Sequence, residues 1–231
     1  MVALSADSQL RPKPPSTRSS ARERIVDSAY ELFSHRAIRD VGVDELIRHS
    51  GVANATFYRH FPSKNDLVVA FMERRDQVWT FGVLEAEARK RGSTAKGRLL
   101  AIFDVFDEWF RRDDYEACSF VNVLLEMGAN HPLGRASIDY LARIRDLTRR
   151  FAIEAELEDL DEFVWSWHIL MKGAIIAAAE GDRDAALQAR RMAKWLIHQH
   201  SIGTPRSYSL EDSRDLDNQT NGRPARVGER E

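Results

Sequence analysis

The sequence predicts an all-α fold, on three observations. Apolar residues recur at helical spacing through nearly the whole middle of the chain. No stretch alternates apolar and polar residues as a half-buried strand does, and Gly, Pro and Asn gather at intervals that suit helix ends. With 231 residues, 43% of them hydrophobic, the chain can bury a sizeable core in one large domain or two small ones.

Residues 1–20 are rich in Ser, Pro and basic side chains without apolar period, and read as a disordered basic arm. Ile25, Ala29, Leu32 and Phe33 begin the first helical stripe. Gly42 and Gly51 punctuate the next two helices. Pro62 ends another, because proline disfavours helix in the residue before it. Ser63 then suits the cap of a helix running to about Lys90, with Asp66 in the capping-box position, and Gly92, Ser93 and Thr94 break it. Leu99, Ile102, Phe103, Phe106 and Phe110 mark the next helix. Residues 130–134 (Asn-His-Pro-Leu-Gly) read as a loop before a helix over 135–155, with Ile138, Leu141, Ile144 and Leu147 on one side. Acidic residues 158–161 lead into a helix reaching about Glu180, where Gly181 suits a left-handed cap. A last helix spans about 184–200, and residues 203–231 read as a disordered tail.

Composition excludes several classes. A single cysteine, Cys118, rules out a disulfide framework and any multi-cysteine metal site. No apolar run approaches the roughly 20 residues that span a bilayer, and the N-terminus lacks a signal-peptide core. A cytoplasmic protein without membrane contacts, metal or cofactor is therefore expected. Charge is uneven: residues 1–65 carry ten Lys/Arg against seven Asp/Glu, the remainder 24 against 29. A mildly basic head on an acidic body suits a protein whose N-terminal part meets nucleic acid.

The stretch VDELIRHSGVANATFYRHF, residues 43–61, holds two short helical patterns around Gly51. Such a pair makes a helix-turn-helix, whose second member can enter the major groove. Thr56, Tyr58, Arg59, His60 and Lys64 place polar donors on and just beyond that second helix, where they can bond phosphate oxygens. This segment with its continuation, SGVANATFYRHFPSKNDLV, resembles the signature of the tetracycline-repressor (TetR) family. The resemblance extends back through ARERIVDSAYELFSHRAIRDVGVDELI and covers about residues 21–72; Ala117 to Asn122 (ACSFVN) also resembles a segment common in one subgroup. It implies a three-helix DNA-binding domain at 21–66 and a helical effector-binding and dimerisation domain at 67–202. It further implies phosphate contacts from Thr56, Tyr58, His60 and Lys64, base-edge contacts from Asn54 and Ala55, and either role for Arg59. Asn54 can pair bidentately with adenine. Ala53, Val41 and Gly42 stand where the family favours hydroxyl residues, so one cap and one phosphate contact are missing; Arg11, Lys13 and Arg18 of the arm can compensate in the minor groove.

A ligand-released repressor is implied, with double-stranded palindromic operator DNA, a small-molecule effector and a second copy of the chain as partners. The last two helices carry the expected dimer surface: Trp167, Met171, Ala174 and Ala178, with Met192 and Leu196. The middle helices carry the expected effector pocket: Phe103, Phe106, Phe110, Trp165 and His168, joined by Cys118, Asn122 and Glu126, which share a helix face at i, i+4, i+8. Three rival readings stand beside this one. An architectural protein binding DNA non-specifically is opposed by the acidic body. A Cys/His hydrolase would need Cys118 activated by His131 or His168. A metal sensor would need His198 and His200 together, yet their i, i+2 spacing on a helix points them apart.

Overall fold

The structure is a computed structural model that describes residues 19–203. The basic arm with Arg11, Lys13 and Arg18, and the tail, lie outside the described residues, among which there are ten α-helices and no strand.

Helix α1 (Ala21–His35) opens with a full capping box: the Ser20 hydroxyl accepts from Glu23 N–H, and the Glu23 carboxylate accepts from Ser20 N–H at 2.7 Å. A 3-10 turn (Ile38–Asp40) leads to α2 (Val43–Ser50), and Gly51 at φ +63° turns the chain toward α3 (Asn54–His60). Glycine is required there because a Cβ in the left-handed region costs about 1–2 kcal/mol. Ser63 caps α4 (Lys64–Arg75) with Asp66 as its reciprocal partner. Leu46, Phe57 and Phe61 fill the head's core together with Phe71 of α4, whose ring meets Tyr30 and Phe33 edge-on at 5.8 and 5.6 Å. The domain division expected at residue 66 therefore falls inside a helix that serves both parts. Phe71 completes the head, while Met72 beside it accepts a bond from Ser137 of the body.

From α4 the backbone continues unbroken through a π-helical stretch (Asp76–Glu85) into α5 (Ala86–Arg91), both junction residues being right-handed helical. One rod thus links the head to the body, as its length in the sequence predicts; its π-helical middle left no mark there. The body follows as α6 (Ala95–Phe110), α7 (Ser119–Met127), α8 (Pro132–Glu154), α9 (Leu160–Ala179) and α10 (Ala185–Gln199). Phe103, Phe163 and Trp167 anchor its core, with rings 5.2–5.3 Å apart. Helix α8 starts earlier than the expected 135. Pro132 occupies the first turn, where its missing N–H costs no bond, and the His131 ring accepts from Leu133 N–H at 3.1 Å. Gly134 is part of this helix and not of a loop: a Cβ there would lie 1.9 Å from the Gly128 carbonyl oxygen.

Candidate nucleic-acid interface

Helix α3 is held by one side and offers the other. Phe57 is fully buried against Phe61. Asn54, Ala55, Tyr58 and Arg59, at i, i+1, i+4 and i+5, form a continuous exposed face, with Tyr58 47% exposed. Thr56 and His60 are half-buried on its flanks. Lys64 begins α4 just beyond it, half-buried: burial pushes its ammonium below the ordinary lysine value, against the pull of Glu126 and Asp40. The residues singled out for DNA are thereby brought together around one short helix.

Neither α2 nor α3 has a side-chain cap, since Gly42 and Ala53 carry no acceptor. Ala53 sits at φ −70°, ψ 148°, the extended geometry a capping serine adopts. Ala53→Ser is expected to stabilise the protein by about 1 kcal/mol, read as a raised midpoint in urea unfolding. An unchanged midpoint would mean that the first-turn amides of α3 already have a partner as good as a serine hydroxyl.

In the body a small cavity, with about 30 Å³ open to the centres of water molecules, lies between the rod, α6, α7, α8 and α9. Of the residues expected there, Phe106, Cys118 and His168 line it. The others lie elsewhere. Phe103 is packed into the core against Trp167, and Phe110 into an aromatic cluster with Phe106 and Tyr115. Trp165 is 53% exposed under the Arg145 guanidinium, 4.4 Å away. Asn122 reaches only an adjoining hollow and an outer cleft. Glu126 turns away altogether. Its carboxylate accepts from the Ile38 and Arg39 backbone N–H groups at 2.8 and 2.7 Å, tying the end of α7 to the 3-10 turn of the head. Burial pushes that carboxyl up, but the two amides and the Arg39 side chain outweigh it and hold it below the ordinary range. Sequence reasoning missed Arg75, Trp79 and Lys172, which also line the cavity.

Cys118 stands at the head of α7, and burial pushes its thiol up, the reverse of what an activated nucleophile needs. Neither ring nitrogen of His168 bonds to it or to anything else. His131 is engaged at Leu133, and His200 bonds the Glu158 carbonyl. Among the described residues no cluster of three metal-ligating side chains forms, and no helix is long and apolar enough to cross a membrane.

The expected dimer residues divide by their surroundings. Trp167, Met171 and Ala174 are buried in the chain's own core, 0%, 3% and 5% exposed, and cannot meet a second copy. Ala178 and Leu196 are half-buried, and Met192 is open. The outward face of α9 and α10 instead shows Trp165, Ile169, Ile176 and Trp195, with Gly173 between them, where an added Cβ would meet no atom within 4 Å.

Comparison with known proteins adds four findings. Residues 25–71 match the family described as bacterial regulatory proteins, tetR family. The transcriptional regulator AcuR of Cereibacter sphaeroides is 28% identical over 178 residues, 73% of this chain and 80% of AcuR. The transcriptional activator FasR of Mycolicibacterium smegmatis is 28% identical over 96 residues, 42% of this chain; the match spans only 43% of FasR's length. Among solved structures, a TetR-family transcriptional regulator from Streptomyces coelicolor superposes with a TM-score of 0.73 at 23% identity, over 84% of this chain and 98% of that one, and so shares its fold.

Proposed function

The chain belongs to the tetR family of bacterial transcriptional regulators, and from that premise we propose that it is a homodimeric repressor released from its operator when a small molecule enters the body cavity. The observation that carries this reading is α3: a helix pinned by Phe57 whose outer face, Asn54, Ala55, Tyr58 and Arg59, stays exposed. Polar side chains on such a helix find partners along a duplex, phosphates fixing the register and base edges the sequence.

Two connections run from the cavity to the head. Arg75 lines the cavity and donates to the Tyr30 hydroxyl of α1 at 2.8 Å while ion-paired with Glu116. Helix α7 starts at the cavity wall with Cys118, Ser119 and Phe120, and ends with the Glu126 clamp on the 3-10 turn. A ligand that shifts α7 or the rod favours a different placement of the head, provided it binds that arrangement more tightly than the DNA-bound one.

Selection of bound sequences from a random duplex pool tests the reading. A palindromic consensus is expected. Replacing Tyr58 or Lys64 by Ala should then weaken binding to all sequences alike, whereas Asn54→Ala should relax preference at one position by about 1–3 kcal/mol. No enrichment, or equal binding to random DNA at physiological salt, overturns it in favour of a non-specific architectural role. A reporter whose expression falls when the regulator is deleted would replace repression by activation, the direction given for FasR.

A further inference from the structure

The cavity's polar groups are few and point to one ligand chemistry. Its wall is mostly aromatic and aliphatic, with Trp79, Phe106 and Trp109 on one side. Beside Cys118 and Ser119 at the start of α7, three basic side chains break that apolar surface. Arg75 is already satisfied by Glu116 and Tyr30. His168 is 97% buried by its 3% exposure, yet neither of its ring nitrogens has a partner. Lys172, one turn along α9, is half-buried, lines both the cavity and the adjoining hollow, and takes part in no hydrogen bond or ion pair. Buried polar groups are rarely left unpaired, because each one costs about 1–3 kcal/mol. The buried, unpartnered His168 and the half-buried Lys172 one turn along the same helix face one cavity, and together they mark the place of a missing acceptor. The surrounding charge has one sign: Arg145 stands near both residues, no carboxylate is among the residues lining the cavity, and Glu116 just outside it is taken by Arg75.

Resting on the effector reading above, we propose that the ligand is a small carboxylate with a short apolar body, its carboxylate bonded by Lys172 and His168. The apolar body lies against the mutually packed rings of Trp79 and Trp109, and the carboxylate is met by His168 and Lys172. The cationic wall disfavours an amine of the same shape. Desolvation and the neighbouring Lys172 and Arg145 keep the His168 imidazole neutral, with its pKa lowered to about 3, so it meets the ligand as an N–H donor and leaves the charge to Lys172.

Calorimetric titration of the full chain with butyrate, butyramide and butylamine tests this, because the three share a skeleton and differ in charge. Butyrate is expected to bind roughly tenfold or more tighter than the amide, as one charge-assisted hydrogen bond implies, and the amine not at all. Lys172→Met should erase the preference for the acid over the amide, and Lys172→Arg should restore it. Should Lys172→Met fail to fold, the charge series on the parent chain still decides. A preference for the amine or the amide, or a preference that survives Lys172→Met, overturns the carboxylate while leaving an effector cavity in place. Failure of all three to bind a protein that still selects its DNA overturns the carboxylate and leaves the regulator reading standing on its own DNA-selection test.

Discussion

Replacing Glu126 with alanine is expected to loosen the DNA-binding head from the body without unfolding either. The carboxylate accepts two backbone N–H bonds, from Ile38 and Arg39, and a further bond from the Arg39 side chain at 3.2 Å. Its side chain is only 10% exposed, so water replaces little of this. A bond to a charged partner contributes about 1.5–3 kcal/mol when taken singly; the three share one carboxylate and do not add, so the loss is expected to total about 2–4 kcal/mol. The head keeps its own core of Phe57, Phe61 and Phe71, so the damage should concentrate at the 3-10 turn. Hydrogen exchange at the Ile38 and Arg39 amides should quicken by about a hundredfold, while amides inside α1 keep their protection. The pH dependence follows from the sign of the shift. The Glu126 carboxyl titrates below the ordinary glutamate value of 4.5 in the folded chain, so its contribution is complete above that value and is lost as the pH falls through the lower, folded one. The difference between the parent protein and Glu126→Ala should therefore be full at neutral pH and vanish in acid. Unchanged exchange at Ile38 and Arg39 would remove the clamp from any account of how cavity and head communicate.

What the sequence revealed about this fold depended on how local each cause is. Gly51, the Ser63–Asp66 box and the stripe of α1 are decided within a few residues by backbone sterics and hydrogen bonding, and they are legible at once. Helix α9 is different. Phe163, Val164, Trp165, Trp167, Ile169, Leu170 and Met171 make it apolar nearly all round, and a helical period cannot say which side turns inward when both sides repel water. Trp165 and Trp167 are alike in type and two residues apart, yet one is 53% exposed and the other fully buried, as α6 covers only one of them. Glu126 failed for a related reason. Its spacing from Cys118 suggested a shared face, but its partners lie 87 and 88 residues away in the chain, and α7 is long enough that its two ends serve different neighbours. Lys172 gave no signal at all, because an unpaired ammonium is recognisable only once the cavity around it is seen.

A charge placed on the outer face of the last two helices is expected to have the largest effect on function. Ile169, Met192 and Trp195 are 66%, 62% and 61% exposed, an apolar strip of the kind that soluble chains normally cover with a partner. The open space at Gly173 lets a second helix approach closely. Trp195→Asp would bury an unpaired carboxylate in any interface formed there, a cost that exceeds what the remaining contacts supply. The variant should sediment as a monomer and keep the helical content of the parent. Its affinity for a palindromic duplex should drop by a hundredfold or more, roughly what losing the second half-site implies. Met171→Ala is the contrasting test, two residues from Ile169 but turned inward. It should lower folding stability by about 2–5 kcal/mol through the cavity it leaves, and leave the oligomeric state unchanged. If Trp195→Asp stays dimeric, the two copies meet on another surface; if Met171→Ala dissociates them, the inward and outward faces of α9 are coupled more tightly than packing alone requires. The two variants together separate a residue that packs inside the chain from one on the surface proposed for a second copy, and only the second kind can set the spacing between two α3 helices on one duplex.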